Sequence, residues 1–146
     1  MSEERFTALI VEETEPKTFA RRIGERSLND LPDGGLVIRV RYSSLNYNDA
    51  LSATGHPGVS RNFPHTPGID AAGEVVSCTD GAFNPGDEVL VTGFDLGMNT
   101  PGGYGQLIRI PSSWALPMPA ALTQKTRMSF GTAGLTAGLS IMRLEE

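Results

Sequence analysis

The chain has 146 residues, which is close to the usual size of one domain and enough to bury a hydrophobic core. Its formal net charge is −5 at pH 7, with 39% hydrophobic and 20% charged residues. This composition is typical of an ordinary globular protein and argues against disorder. The acidic balance argues against a general nucleic-acid or anionic-membrane surface, because such a surface needs clustered Lys and Arg.

The N-terminus predicts no targeting signal. Residues 1–5 are acidic and run directly into a strand-like stretch, unlike a secretory signal, and no stretch reaches the roughly 18 apolar residues of a membrane span. The single cysteine, Cys78, excludes an internal disulfide and favours a reducing compartment. We therefore expect a cytoplasmic protein with no membrane partner.

Short β-rich runs separated by turns make up most of the chain. They predict strands at 6–11, 18–23, 36–42, 69–77, 88–92 and 104–110. An acidic turn at 12–16 is expected to join the first two, and Gly73 within the fourth predicts a bulge or a close backbone approach. The 17 Gly and 10 Pro supply the other turns. The pattern predicts a mainly β fold, either a barrel or a sandwich.

The end of the chain changes to helical character. Helix is predicted from about Leu122, with Thr123 as a candidate N-cap, and residues 133–144 place apolar side chains at helical spacing. Residues 131–138 are glycine-rich, and each interior Gly costs about 1 kcal/mol relative to Ala. We therefore expect close packing against residues 131–138. The packing partner is either this domain itself, another domain or a flat cofactor.

One polar segment follows the predicted strand at 36–42. A short helix is expected to begin around Asn46, which places an amide, the Tyr47 phenol and the Asp49 carboxylate at one turn of the chain. Asp49 is expected either to cap this helix or to orient Tyr47. Together with the proline-rich segment at 63–70, this is where we expect chemistry.

Several motifs occur in an order that resembles the medium-chain dehydrogenase/reductase superfamily. They lie at residues 42–51, 61–64, 67–73, 86–89, 102–104 and 131–137. The resemblance covers essentially the whole chain and is strongest to the zinc-independent quinone oxidoreductase branch, in its acrylyl-CoA reductase-like group. Each glycine-containing piece is weakly specific alone, whereas the ordered set is specific.

The resemblance implies a mainly β (α+β) fold. Residues 1–122 are expected to form a GroES-like, partly open β-barrel, and residues 123–146 an interdomain helical segment that leads toward a nucleotide-binding Rossmann domain. No glycine-rich dinucleotide motif after a strand precedes Glu146, so the Rossmann domain is expected to be absent from this chain. We expect the isolated chain to be inactive, because most of the cofactor affinity belongs to that domain.

The resemblance also implies NADPH-dependent reduction of an activated carbon–carbon double bond in a quinone, an enone or an acrylyl-CoA-type substrate. Asn46 is predicted to contact the nicotinamide ribose or the substrate, because its amide both donates and accepts hydrogen bonds. Tyr47 is predicted to donate a proton or a hydrogen bond to the enolate, with a core aromatic as the alternative. Both are the predicted catalytic residues.

The other site predictions concern further cofactor and substrate contacts, zinc and the two histidines. By family position, Thr136 and then Thr132 are expected near the nicotinamide, and Arg61 is a candidate for an anionic substrate such as a CoA thioester, with a surface arginine as the alternative. Zinc is not expected, because Asn46 and Ile69 match the positions of a thiolate and an imidazole ligand in the metal-using branch. The two histidines, His56 and His65, are expected to be surface or packing residues.

Two other hypotheses remain open from the sequence. The first is a stand-alone GroES-like binding or assembly module that uses the helical tail as a homo-oligomer interface, since a fold does not determine function. The second is a truncated, non-functional product.

Overall fold

The predicted hairpin is formed by strand β1 (Arg5–Glu15) and strand β2 (Thr18–Ser27) in the computed structural model, which describes residues 4–145. The turn is shorter than expected, since β1 continues through the acidic residues and only two residues turn, with Lys17 at φ 64°. Glu12 can remain in the strand because a basic side chain of β2 reaches it diagonally. Arg22 pairs with Ile10 in the register, and its Nη2 is 2.8 Å from Glu12 Oε1. The predicted turn at 12–16 is therefore corrected to the two residues between the strands.

A second sheet contains five strands: β3 (Leu36–Tyr42), β4 (Asp70–Cys78), β5 (Glu88–Thr92), β6 (Leu107–Ile110) and β7 (Ala115–Pro117). They are antiparallel and lie in the order β6-β3-β4-β5-β7. Isolated bridges from Ala8 to Gly105 and from Val11 to His65 connect β1 to the loops of this sheet. Two open sheets joined in this way form the mainly β, partly open barrel that the family resemblance implied.

The core lies on both faces of β3. On one face, Leu36 and Ile38 are fully buried together with residues of β4, β5 and β6. On the other face, Val37 packs against Phe6 and Ile10 of the hairpin. Burying each such aliphatic or aromatic side chain contributes about 1.5–3 kcal/mol, so the two clusters hold the hairpin against the five-stranded sheet.

Gly73 in β4 confirms the predicted close approach. A Cβ at this position would lie 2.8 Å from the carbonyl carbon of Arg39, and closer still to its oxygen. The β3–β4 register shifts twice, between Val37 and Ile38 and again between Val40 and Tyr42. Only a glycine lets the two backbones pass this closely.

Strand β6 starts later than predicted, at Leu107 rather than Tyr104. The Tyr104 N–H donates to the Pro67 carbonyl at 3.0 Å, and its own carbonyl accepts from the Leu9 N–H at 2.9 Å. The backbone at Tyr104 is thus bonded to a loop and to the hairpin, which prevents it from joining the β3 ladder.

The two α-helices are α1 (Tyr47–Ala53) and α2 (Gln124–Glu145). Thr123 caps α2 as predicted, because its Oγ1 accepts from the Thr126 N–H at 3.1 Å. The first turns of α2 pack on the barrel, where Met128 is buried in a cluster with residues of β4 and β5. Within residues 4–145, neither helix is long and apolar enough to cross a membrane.

Candidate active site

Helix α1 begins where the sequence predicts. Asn46 is its N-cap, with extended backbone angles of φ −127° and ψ 157°. The Asp49 side chain closes the first turn, since its Oδ2 accepts from the Asn46 backbone N–H at 2.9 Å. Of the two roles predicted for Asp49, the cap is the one that the hydrogen bonds support.

The Asp49 carboxylate is buried, with 1% of its surface exposed, and is fully hydrogen-bonded. Its Oδ1 accepts from the Ile69 N–H at 2.9 Å, and the Tyr104 hydroxyl lies 3.1 Å from Oδ2. Burial, followed by the charge of Asp49, raises the pKa of Tyr104 well above its usual range. The Tyr104 phenol therefore remains protonated. Its one hydrogen has two acceptors at 3.1 Å, Asp49 Oδ2 and the Ser44 carbonyl oxygen.

Asp70, the first residue of β4, is a second buried carboxylate and has no exposed surface. Its Oδ2 accepts from Asn46 Nδ2 at 2.9 Å and from the Thr132 N–H at 3.0 Å, while its Oδ1 accepts from the Thr132 hydroxyl at 2.8 Å. Ser43 Oγ donates to the Asp70 backbone carbonyl at 2.7 Å. Asp70 therefore joins the start of α1 to the middle of α2.

Helix α2 breaks at Gly131, where φ is 52° and ψ is −154°. This combination is nearly restricted to glycine. A Cβ at this position would lie 2.7 Å from Asp70 Oδ2 and closer still to Ser44 Oγ. The same Ser44 hydroxyl donates to the Met128 carbonyl at 2.6 Å, a carbonyl in the turn before the break. The close packing predicted for the glycine-rich stretch is thus made, at Gly131, by this domain itself.

The structure brings together only some of the predicted site residues. Asn46 and Thr132 share the Asp70 carboxylate. Tyr47 is adjacent in sequence but 79% exposed, and its hydroxyl makes no hydrogen bond within the described part of the chain. Thr136 is exposed on α2 beyond the break. The site roles of these residues therefore stay predictions.

Arg61 lies apart from this cluster, in the loop after α1. Its Nε donates to the Pro57 carbonyl at 3.0 Å, and its backbone N–H donates to Asn99 Oδ1 at 3.3 Å. The guanidinium is exposed at the rim of an apolar groove of about 590 Å³ that includes Phe19 and Phe63. A substrate contact at Arg61 remains a prediction, and the surface arginine is compatible with this position.

The two histidines behave as expected. His56 is exposed, and its Nδ1 accepts from the Gly58 N–H at 3.1 Å. His65 is buried, with Nε2 2.8 Å from the Gly97 carbonyl oxygen. Among residues 4–145, His, Cys, Asp and Glu side chains do not gather in a group of three that would hold a metal ion.

Sequence reasoning did not assign a role to Asp70, Ser44 or Tyr104. The available signal was weak: Asp70 is a carboxylate at the start of an apolar strand, two residues after Gly68 of the proline-rich segment. A charged residue in a run that otherwise reads as buried indicates a satisfied polar network. Its partners in α2 lie 62 residues away, and no local pattern identifies them.

The comparisons with known proteins agree with this fold. The family described as the alcohol dehydrogenase GroES-like domain matches residues 32–120, more than half of the chain. Acrylyl-CoA reductase AcuI of Ruegeria pomeroyi is 41% identical over 143 residues, which are 97% of this chain and 43% of that protein.

Two solved structures show the same likeness. The yhdH oxidoreductase from Salmonella enterica, in complex with NADP, has a TM-score of 0.90 and 40% identity over 95% of this chain and 43% of the other. Bacillus subtilis protein yhfP, with NAD bound, has a TM-score of 0.91 and 40% identity over 97% and 43%. The chain thus spans less than half the length of the relatives it matches. On this evidence, the chain belongs to the alcohol dehydrogenase GroES-like domain family, within the medium-chain dehydrogenase/reductase superfamily.

Proposed function

We propose that this chain is the catalytic-domain part of an NADPH-dependent oxidoreductase that reduces an activated carbon–carbon double bond. The observation that carries the proposal is Asn46, fixed by two buried carboxylates beside the exposed Tyr47, in a chain 41% identical to an acrylyl-CoA reductase. The proposed substrates are a quinone, an enone or an acrylyl-CoA-type thioester, all of which conjugate the alkene to a carbonyl.

The proposed division of the chain is a GroES-like domain at 1–122 and an interdomain helical segment at 123–146. Before the break in α2, Met128 is buried on the barrel; after it, Leu139 and Met142 are more than half exposed. An apolar face of this kind supports packing against a further domain. We propose that this partner is a Rossmann-type nucleotide-binding domain, and that the chain is inactive without it.

The residues around Asn46 fit the nicotinamide end of a dinucleotide. The side-chain oxygen Oδ1 of Asn46 has two lone pairs, of which the capping box with the Asp49 N–H uses at most one, so it retains acceptor capacity. The Thr136 side chain is exposed on α2. When bound, NADPH supplies the hydride, while most of its affinity is proposed to come from the nucleotide-binding domain. Thr132 already uses both its N–H and its hydroxyl on Asp70, so its proposed contribution is to hold that end of α2 in place.

Tyr47 is proposed to act on the substrate carbonyl. Its phenol is exposed at the first turn of α1, where it is available to donate a proton or a hydrogen bond to the oxygen that becomes the enolate. Arg61 is proposed to contact an anionic part of a CoA thioester, because its Nε donates to the Pro57 carbonyl and the residue is exposed. The reaction is proposed to need no zinc, since Asn46 and Ile69 offer neither a thiolate nor an imidazole.

The proposed location is the cytoplasm, and the proposed partners are a small-molecule substrate and the cofactor. Cys78 is only partly buried, and its thiol donates to Asp80 Oδ1 at 2.9 Å, which suits a reducing compartment. A net charge of −5 does not favour nucleic acid or an anionic membrane as a partner.

A chimeric protein tests the proposed function. Residues 1–146 would replace the matching segment of the Ruegeria pomeroyi acrylyl-CoA reductase, so that the nucleotide-binding half of that protein completes the site. NADPH oxidation is followed by absorbance with acrylyl-CoA, an enone and a quinone. We expect turnover with at least one of these substrates, and none by the 146-residue chain alone. A folded chimera that binds NADPH but reduces none of them contradicts the proposal.

A stand-alone assembly module is the second candidate, and the exposed apolar side chains of α2 favour it. Leu135, Leu139 and Met142 are each at least 50% exposed. Light scattering of the purified chain measures whether copies associate through this face. If the module exists, Leu139→Lys restores the monomer, whereas Ser140→Lys on the neighbouring position does not. A chain that is already monomeric dismisses this candidate and leaves the reductase proposal intact.

A further inference from the structure

The Asn46 amide has only one orientation that its neighbours allow. Its Nδ2 lies 2.9 Å from Asp70 Oδ2 and 3.3 Å from Asp49 Oδ2. A carboxylate only accepts hydrogen bonds, and the NH₂ group of an asparagine carries two donors while its oxygen carries none. Rotating the amide by 180° would place Oδ1 against two carboxylate oxygens with no hydrogen between them. Both Nδ2 hydrogens are therefore directed into the protein.

Neither carboxylate is free to release Asn46. Asp70 is held by the N–H and the hydroxyl of Thr132, and Asp49 by the Ile69 N–H and the Tyr104 hydroxyl. Both carboxylates are buried, with 0% and 1% of their surfaces exposed. Turning either away would leave buried donors without a partner, which is costly. The amide is consequently preorganised before any ligand arrives.

We infer that Asn46 offers its ligand a carbonyl oxygen and no donor, with two carboxylates behind it. A group that binds there must donate a hydrogen bond and is favoured when it carries positive charge. On the proposed function, the nicotinamide nucleoside matches both requirements: it presents a carboxamide NH₂ and ribose hydroxyls as donors, and its oxidised ring is cationic. A substrate carbonyl oxygen matches neither, because it accepts hydrogen bonds and gains negative charge.

The orientation of the Asn46 amide distinguishes between the two contacts that the sequence allowed for this residue. Asn46 was a candidate for contact with either the ribose or the substrate, because an amide both donates and accepts. With its donors directed to Asp49 and Asp70, Asn46 belongs to the nicotinamide side of the site. Asp49 and Asp70 are then positioning residues, and the enolate oxygen is left to another donor, such as Tyr47.

The orientation is tested by NMR on the ¹⁵N-labelled 146-residue chain, without any ligand. We expect both Asn46 side-chain amide hydrogens to exchange slowly with water, unlike those of the exposed Asn48, which serves as the internal control. Asp70→Asn should accelerate the Asn46 exchange by at least about 10-fold, as expected when a charge-assisted hydrogen bond is lost. Thr132→Val, which loosens Asp70 with less disturbance, should accelerate it less. Equal exchange at Asn46 and Asn48 in the unaltered chain overturns the inference.

The ligand chemistry is tested by titrating the same sample with nicotinamide mononucleotide in its oxidised and reduced forms, which differ by the charge on the ring. We expect the Asn46 amide signals to respond to both, with about 10-fold tighter binding of the oxidised form, and we expect this preference to shrink in Thr132→Val. Equal or tighter binding of the reduced form overturns the inference, as does binding that leaves Asn46 unperturbed or no binding at millimolar concentrations. These results do not depend on turnover, so failure of the chimera to reduce a substrate would contradict the proposed function while leaving this inference standing.

Discussion

Asp70 of strand β4 and Thr132 of helix α2 are joined by two hydrogen bonds, one from the Thr132 N–H at 3.0 Å and one from its hydroxyl at 2.8 Å. Asp70 thereby caps the second half of α2 from a distant part of the chain, directly after the break at Gly131. Because the same carboxylate also holds the Asn46 amide, the direction of α2 and the geometry of the candidate site are set by one side chain.

Asp70→Asn is expected to lower the free energy of unfolding by about 2–4 kcal/mol, because the new amide donors face the donors of Asn46 and Thr132. Urea unfolding of the purified chain measures the change. Asp33→Asn is the matched control, since Asp33 is exposed in the turn before β3 and should change stability by less than about 0.5 kcal/mol. Equal effects of the two substitutions would mean that Asp70 does not hold the site together.

Alanine substitutions at two glycines of α2 should change the stability of the chain in opposite directions. Gly131→Ala should destabilise the chain by about 2–3 kcal/mol, because its φ of 52° is strained for alanine and the new Cβ would meet Asp70 and Ser44. Gly138→Ala should stabilise it by up to about 1 kcal/mol, since a Cβ there meets nothing within 4 Å. Thermal unfolding of both variants checks the contrast. A stable Gly131→Ala variant would contradict the break in α2.

His65 predicts a loss of stability in mild acid. Burial lowers the pKa of His65 below its ordinary value of 6.5, an effect that its hydrogen bond to Gly97 only partly offsets. The unfolded chain therefore takes up a proton as the pH falls through about 6.5, while the folded chain resists it. The contribution of neutral His65 to the free energy of unfolding is therefore complete above about pH 6.5. It is lost as the pH falls from there toward the lower pKa of His65 in the folded chain.

Urea unfolding between about pH 8 and pH 5 measures this dependence, which spans the ordinary histidine pKa. His65→Gln keeps a donor for the Gly97 carbonyl and should flatten the curve in that range, although it is expected to be less stable overall. His56→Gln, at the exposed histidine, should keep the slope of the unaltered chain. An unchanged slope in His65→Gln would assign the acid sensitivity to other groups.

Tyr47→Phe tests the proposed proton or hydrogen-bond donor in the chimera. Removing the hydroxyl should lower kcat by about 10²–10⁴-fold, the usual contribution of a positioned acid, with little change in the KM for NADPH. Tyr42→Phe is a suitable control, because Tyr42 is also a partly exposed tyrosine but lies at the end of β3. A Tyr47→Phe chimera with unaltered kcat would leave Tyr47 as a surface aromatic.

Local sequence patterns predicted the parts of the fold that local forces decide. Strands β3 (Leu36–Tyr42) and β5 (Glu88–Thr92) begin and end as predicted. Segments that contain proline and glycine precede both strands, while β3 ends at two serines and β5 ends at Gly93. The start of α1 around Asn46, the capping role of Asp49 and the Thr123 cap of α2 were also predicted, since a cap depends on residues within one turn.

The features that the sequence did not predict depend on contacts between distant residues. Tyr104 has the residue type of a strand, but its hydroxyl is directed to Asp49, 55 residues away, and its backbone bonds to Leu9 and Pro67. The glycine-rich stretch of α2 indicated close packing, but not that Gly131 would break the helix over Asp70. The start of α1 at Asn46 was predicted, whereas the direction of the Asn46 amide follows only from the two carboxylates around it.

The proposed role of Asn46, to hold the cofactor end of a reductase site, is measured most directly by steady-state kinetics of an Asn46→Ala chimera beside an Asn48→Ala chimera. Asn46→Ala should raise the KM for NADPH by at least about 10-fold and also lower kcat, since a fixed acceptor at the nicotinamide is lost. Asn48→Ala, two residues along on the exposed side of α1, should leave both constants within about 2-fold. An Asn46→Ala chimera that matches the unaltered one in both constants would contradict the account.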